Sequence, residues 1–212
     1  MSVTHHHIPD SMLAAYAAGN LPHAFSVVVA THVSMCAISR AALGAHQAVG
    51  GAVLETQDAV PVSEGLKCDL LARLDDPIDL PAAPAPRDGI YPGPVVEALK
   101  GRAPKWKRLG MGVCQDILFA DKEGSLRLLY IPPEQAVPDH GHNGLEMTLV
   151  LQGSFSDETG QFGVGDVEIA DESLEHTPIA DPGEPCICLA ATDAPLRFRA
   201  LTPRLLQPLF RI

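Results

Sequence analysis

The segment His140-Gly-His142-Asn-Gly-Leu-Glu146, which continues through Met-Thr-Leu-Val-Leu-Gln to Gly153, is the most informative part of this sequence. In an extended segment successive side chains alternate between faces, so His140 and His142 point the same way. Asn143-Gly144 favours a tight turn, which lets the carboxylate of Glu146 approach the two imidazoles. This combination of ligands suits zinc, iron, manganese or nickel.

One further histidine, His176, lies in the C-terminal half of the chain. It follows a glycine-rich turn, Gly163-Val-Gly165-Asp166, and a short predicted strand, Val167-Glu-Ile169. If these strands pair across a barrel, His176 can supply a fourth ligand. The alternative is a set of scattered surface histidines beside an unrelated glutamate.

The pattern H-x-H-x3-E-x6-G resembles the first sequence motif of the cupin family. In that family the motif pairs with a later histidine to build a three-His, one-Glu metal centre inside a β-barrel. The resemblance implies that His140, His142, Glu146 and His176 bind one metal ion, with zinc as the expected cofactor. Glu134 stands where the family usually has glycine, a difference that concerns turn geometry rather than the ligands.

Composition excludes several other classes of protein. The 212 residues carry a formal charge of −11, which argues against binding nucleic acid directly because that needs a net basic face. No apolar run is long enough to cross a membrane, and no signal pattern opens the chain. The cysteines are irregularly spaced, which predicts a reducing cytoplasm rather than a disulfide framework. They are Cys36, Cys68, Cys114, Cys186 and Cys188.

From Trp106 onward the chain has the pattern of a β protein. Asp121-Lys-Glu-Gly124 lies between two apolar segments and is typical of a hairpin turn. Many short strands with glycine and proline turns predict a jelly-roll barrel. The predicted strands are 113–119, 125–131, 146–152, 155–157, 167–169, 187–191 and 196–200.

The N-terminal part has helical periodicity. Asp10 and Ser11 can begin a first helix, and Pro22 opens a second that we expect to reach about residue 43. On that helix His32 and Cys36 lie four residues apart, a spacing at which an imidazole and a thiolate can bind one zinc ion. The alternative is that both are ordinary buried residues.

Read together, the two halves resemble the ChrR-type anti-sigma factors, which join a zinc-binding anti-sigma domain to a C-terminal cupin. The resemblance covers nearly the whole chain and includes Thr31-His32-Val-Ser-Met-Cys36 and an early histidine. It implies that His7, His32 and Cys36 bind zinc. Ser39 stands where the family has a second cysteine, so water or Cys68 would complete the site. An expression tag is an alternative origin for His5-His6-His7.

The expected fold is α+β, with an N-terminal all-α anti-sigma helical module followed by an all-β cupin jelly-roll barrel. Six prolines between residues 75 and 94 indicate a linker, because proline breaks both helical and strand hydrogen bonding. We predict a helical sigma-binding domain at 1–85, a linker with a short helix at 86–104 and a metal-binding barrel at 105–205.

The resemblance implies a cytoplasmic protein that sequesters an extracytoplasmic-function sigma factor from RNA polymerase. The barrel would sense singlet oxygen or a related oxidant and cause release of the sigma factor. The main alternative is a metal-dependent cupin enzyme, such as a dioxygenase, with a degenerate helical module. No general acid or base is evident beside the metal ligands, so no catalytic residue is assigned. A third possibility is a small-molecule-binding cupin without a sigma partner.

Overall fold

The computed structural model describes residues 4–77 and 89–198, and within them the helices precede the strands. The predicted residues 199–205 of the barrel and residues 78–88 of the proline-rich segment lie outside these ranges. The helices are α1 (Asp10–Ala17), α2 (His23–Met35), α3 (Ala37–Glu55), α4 (Leu66–Ala72) and α5 (Gly93–Ala98). The strands are β1 (Lys107–Gly110), β2 (Val113–Asp121), β3 (Gly124–Ile131), β4 (His140–His142), β5 (Glu146–Gln152), β6 (Ser154–Ser156), β7 (Gln161–Gly163), β8 (Val167–Ala170), β9 (Glu175–His176), β10 (Ile179–Ala180), β11 (Cys186–Thr192) and β12 (Leu196–Phe198). The predicted α+β order is confirmed.

The strands form three antiparallel sheets. The largest has the order β1-β2-β3-β11-β5-β8, and the smaller two have the orders β10-β6-β7 and β12-β4-β9. The predicted hairpin between β2 and β3 is present, with Asp121 opposite Gly124. Gly124 has a φ of +146°, and a Cβ there would lie 2.5 Å from the carbonyl oxygen of Thr192, so the turn requires glycine.

The central strand β11 separates two hydrophobic clusters. Ile187, Leu189 and Ala191 belong to the cluster that includes α2, whereas Cys186 and Cys188 belong to the cluster inside the barrel. This alternation is the period-two pattern of a strand that is covered on both faces.

Helix α2 packs on the outer face of the large sheet and joins the two halves of the chain in one core. Val28 and Val29 are fully buried there, together with Leu126, Met147 and Leu189. Each such side chain contributes about 1.5–3 kcal/mol on burial. The helical part and the barrel are therefore in direct contact, although the domain boundaries themselves remain a prediction.

The expectation of one continuous helix from residue 22 to about 43 is wrong. Cys36 has extended backbone angles (φ −109°, ψ 116°) and ends α2, and α3 leaves at an angle of 117° to it. The Sγ atom of Cys36 accepts a hydrogen bond of 3.5 Å from the backbone N–H of Ser39 and so caps α3. His32 and Ser39 consequently lie on two different helices.

Among the described residues, no single helix is long and apolar enough to cross a membrane. Helices α2 and α3 together meet that criterion by length and composition alone, across their bend.

Candidate metal centres and partner-binding surface

Three buried histidines converge inside the barrel. His140 and His142 lie on β4 with one residue between them, and β4 pairs with β9 so that His140 is directly opposite His176. The Nε2 atom of His176 lies 3.2 Å from the Nε2 atom of His140 and 3.2 Å from that of His142. All three side chains are buried. The structure thus brings together the three histidines that the sequence motif selected.

In two of these histidines, His140 and His176, the ring nitrogen Nδ1 has a hydrogen-bond partner that orients the ring. His140 Nδ1 donates to the carbonyl oxygen of Pro138 at 2.9 Å, which leaves Nε2 to face the cluster. Burial lowers the pKa of both His140 and His142 below the usual value, so these imidazoles are neutral at pH 7. Neutral imidazole is the form that binds metal, so the donor set fits a divalent ion.

The predicted fourth ligand, Glu146, lies beside this cluster. One of its carboxylate oxygens is 3.6 Å from His142 Nδ1, and the other accepts a hydrogen bond of 3.0 Å from Thr148 Oγ1. The atoms that lie within 4.8 Å of one another come from the three histidines, without the glutamate. Glu146 is therefore adjacent to the site, and its coordination of metal remains a prediction.

Two carboxylates that the sequence reasoning missed hold His176 from behind. Its Nδ1 atom lies 2.7 Å from Asp157 Oδ2 and 3.1 Å from Glu168 Oε1. Both carboxylates are almost fully inaccessible. The position of the charged Glu168 between Val167 and Ile169 could have identified it as a functional residue. Side chains alternate between faces along a strand, so that of Glu168 points towards the barrel interior. The sequence around Asp157 contains no such pattern.

The electrostatics of this trio follow from its burial. Burial raises the pKa of Glu168 to about 7. Burial also acts to raise the pKa of Asp157, but hydrogen bonds from Glu168, His176 and Thr159 outweigh it and hold that pKa well below the usual range. For His176, hydrogen bonds and charges of both carboxylates overcome the opposing effect of burial and raise its pKa to about 9. The pair therefore increases the basicity of the imidazole, as carboxylate partners of metal-bound histidines do.

A cavity of about 450 Å³ opens from this cluster through the barrel interior. His140, Glu146 and His176 line it, together with the buried residue Arg127. The remaining wall is mostly apolar and includes Leu109, Val113, Leu129, Ile131, Val137 and Cys188. Its size lies in the range of small-molecule sites.

A second cluster lies where α2 meets α3. The ligand atoms of His7, His32 and Cys36 all lie within 4.8 Å of one another, and the Sγ of Cys36 is 3.4 Å from His7 Nδ1. His32 and Cys36 are buried. Two imidazoles and one thiol form a donor set suited to zinc. Burial lowers the pKa of His32, which favours the neutral, metal-binding form.

Ser39 lies next to this cluster, at the position where the family resemblance implies a fourth ligand. Its hydroxyl lies 2.8 Å from His32 Nε2, and only 2% of the residue is exposed. Because His32 Nδ1 donates to the carbonyl oxygen of Gly165, Nε2 carries a lone pair and the serine hydroxyl is the donor. Cys68, the other ligand considered for this place, is exposed on α4 and is not among the clustered atoms.

The end of α3, the following loop and α4 form an exposed arm. Every residue from 47 to 77 is exposed, yet the segment is rich in large apolar side chains. Soluble monomers rarely present such surface unless a partner covers it. The apolar members are Val49, Val53, Leu54, Val60, Val62, Leu66, Leu70, Leu71 and Leu74.

Comparison with known proteins gives consistent results for both halves. Residues 97–195 match the family described as the ChrR cupin-like domain. The anti-sigma-E factor ChrR of Cereibacter sphaeroides is 54% identical over 209 residues, which cover 98% of this chain and 98% of that protein. A chain in the crystal structure of Rhodobacter sphaeroides SigE in complex with the anti-sigma ChrR is 51% identical, with a TM-score of 0.79. That match covers 90% of this chain and 100% of the other.

Proposed function

The chain belongs to the ChrR family of anti-sigma factors, and we propose that it binds an extracytoplasmic-function sigma factor and withholds it from RNA polymerase. The exposed arm at residues 47–77 is the observation that carries this proposal for the present molecule. Its apolar side chains provide the surface that a partner would bury, and burial of each contributes about 1.5–3 kcal/mol. We place this interaction in the cytoplasm, where sigma factors bind polymerase.

Paired substitutions test the arm. Leu54 is 73% exposed on the arm, and Met111 is 70% exposed on the barrel, so changing either to glutamate perturbs the free protein little. We expect Leu54→Glu to lower the amount of sigma factor that co-purifies after co-expression, because a charge would be buried at the interface. Met111→Glu is the matched control and should retain the partner. Equal retention by both variants would place the sigma-binding surface elsewhere.

We propose further that His140, His142, Glu146 and His176 hold one zinc ion in the barrel. The convergence of three imidazoles supports the site, because His140 and His142 are neutral at pH 7 and the rings of His140 and His176 are oriented by hydrogen bonds. Zinc would supply a Lewis-acidic centre beside the cavity. His7, His32 and Cys36 are proposed to hold a second zinc ion with three protein ligands. Metal analysis of the intact protein, with His140→Ala and Cys36→Ala each removing one equivalent, tests both assignments.

We propose that the barrel senses an oxidant such as singlet oxygen and that sensing releases the sigma factor. The cavity supports this role because it connects the histidine cluster with the apolar barrel interior. Illumination of the purified complex with a photosensitiser should release sigma from the wild type and not from His140→Ala. Release at the same rate from both would remove the barrel site from the response.

The same cavity favours a second candidate, a metal-dependent enzyme of the dioxygenase type. An apolar pocket that ends at a metal centre can also hold an organic substrate. Oxygen consumption by the iron-loaded or manganese-loaded protein with candidate apolar substrates would distinguish this activity from a purely regulatory role.

A further inference from the structure

The N-terminal segment lies across a turn of the barrel, between β7 and β8. The Oδ1 atom of Asp166 accepts hydrogen bonds from the backbone N–H groups of His5 and His6, at 2.6 and 2.8 Å. The carbonyl oxygen of His6 accepts a hydrogen bond of 3.1 Å from the N–H of Val167. The ring of His6 also packs against Phe162 in a tilted arrangement, with 4.4 Å between the ring centroids. These contacts hold the two residues that immediately precede His7.

The same turn also contacts the second histidine of the N-terminal cluster. The carbonyl oxygen of Gly165 accepts a hydrogen bond of 2.9 Å from His32 Nδ1, which is fully buried. This bond fixes the tautomer of His32 and leaves the lone pair on Nε2, the nitrogen that accepts a hydrogen bond from Ser39 beside the cluster. Gly165 has a φ of +95°, and a Cβ there would lie 2.9 Å from Thr4 Oγ1, so the turn geometry depends on glycine.

Asp166 is buried at the contact between the N-terminal segment and the turn of the barrel. Only 3% of the residue is exposed, and its second carboxylate oxygen accepts a hydrogen bond of 2.9 Å from the N–H of Gly163. Burial acts to raise the pKa of Asp166, but the hydrogen bonds from His6, Gly163 and His5 outweigh it and lower the pKa. Two of these three bonds connect residues about 160 positions apart, so they do not serve the local turn alone.

We propose that Gly165 and Asp166 of the barrel are positioning residues of the N-terminal metal centre. Asp166 holds the backbone that presents His7, and Gly165 sets the ring orientation of His32. The inference rests on the zinc site proposed above for His7, His32 and Cys36. In this arrangement the helical module cannot build its zinc site at full affinity without the barrel.

The position of the turn connects the two metal clusters. Asp166 immediately precedes β8, and Glu168, two residues later, contacts His176 of the barrel cluster. A displacement of β8 therefore acts on His176 and on the segment that carries His7 together. This is a direct physical link between the barrel interior and the α2–α3 junction, the start of the helix α3 whose far end begins the exposed arm.

Cobalt titration of the full-length protein tests the proposal, because the two clusters have different spectra. Cobalt bound to the Cys36 thiolate gives a sulfur-to-metal charge-transfer band, whereas an all-histidine and carboxylate site gives none. Displacement of that band by zinc measures zinc affinity at the N-terminal centre alone. We expect Asp166→Ala to lower this affinity about 10–100-fold, the usual effect of losing a partner that orients a ligand. Asp166→Asn keeps one acceptor oxygen and should lower it less.

Asp171→Ala is the matched control. Asp171 also accepts hydrogen bonds in a turn, from the N–H and hydroxyl of Ser173, but it makes none of the contacts to the N-terminus. Neither Asp166→Ala nor Asp171→Ala should change zinc binding at the barrel cluster. Unchanged binding there also verifies that the barrel is folded. Wild-type affinity in Asp166→Ala would overturn the positioning role while leaving the zinc site intact. Absence of the charge-transfer band in the wild type would overturn both the zinc site and this inference.

Discussion

Replacement of Ser39 by cysteine should convert a three-ligand zinc site into a four-ligand site. The serine hydroxyl already lies 2.8 Å from Nε2 of His32, a member of the cluster with His7 and Cys36. A neutral hydroxyl is a poor ligand for zinc at pH 7, whereas a thiol next to a metal is readily deprotonated to the thiolate that binds it. The side chain is buried, so a sulfur atom there has no alternative solvent-exposed position.

The size of the effect follows from two contributions. Structural zinc sites with four ligands bind with about 10–16 kcal/mol, so one ligand accounts for roughly 3 kcal/mol. Binding to the wild type must also break the hydrogen bond that Ser39 donates to His32 Nε2, at a cost of about 1 kcal/mol. The two contributions add to about 4 kcal/mol, so we expect Ser39→Cys to bind zinc roughly 700-fold more tightly, since about 1.4 kcal/mol corresponds to a factor of ten.

Ser39→Ala separates the two contributions. It removes the competing hydrogen bond without adding a ligand, so its affinity should rise only about fivefold. Zinc affinity is measured by competition with a chelator of known strength, and the thermal midpoint is measured with and without zinc. Because zinc binds the folded form, Ser39→Cys should show the largest zinc-dependent increase in the midpoint. Equal affinities for the cysteine and alanine variants would refute the view that residue 39 faces the metal.

Two further predictions concern the core and the barrel cluster. Leu189→Ala, at a fully buried position between β11 and α2, should lower the free energy of unfolding by about 2–5 kcal/mol in a denaturant titration. A loss below about 1 kcal/mol would contradict the shared core. In protein stripped of metal, His176 has a raised pKa of about 9 and carries a proton at pH 7 that zinc must displace, so zinc affinity at the barrel site should fall as pH decreases from 9 to 6. Glu168→Gln removes a cause of the raised pKa and should flatten that pH dependence, and an unchanged slope would contradict the role of the carboxylate pair.

The elements predicted best were those with a strong local pattern. The hairpin between β2 and β3 and the strand β5 occur where apolar runs and turn residues indicated them, and side chains along each strand alternate between the two faces of the sheet. The pair His140 and His142 follows from the same rule. Helix α2 begins after Pro22 as predicted, since proline suits the first turn of a helix.

The break at Cys36 escaped the sequence reasoning because His32, Cys36 and Ser39 fit an unbroken helix equally well. A thiol that caps the next helix is a weak local signal, and the choice between a straight and a bent arrangement depends on what covers α2. Packing of Val28 and Val29 on the large sheet supplies that cover. Despite the bend, Ser39 lies next to His32. The cluster that the family resemblance implied is therefore present, although the backbone differs from the predicted continuous helix.

The order of helices and strands, the spacing of His140 and His142, and the choice of His7, His32 and Cys36 as candidate ligands could all be inferred from the amino-acid sequence. The folded chain was needed to show that β9 brings His176 to the cluster, that Asp157 and Glu168 contact it, and that Asp166 binds the N-terminal segment to the barrel. Periodicity reports which face a side chain occupies, because it reflects the geometry of one element. Contacts between residues up to about 160 positions apart depend on which strands and turns meet, and that is settled by packing of the whole chain.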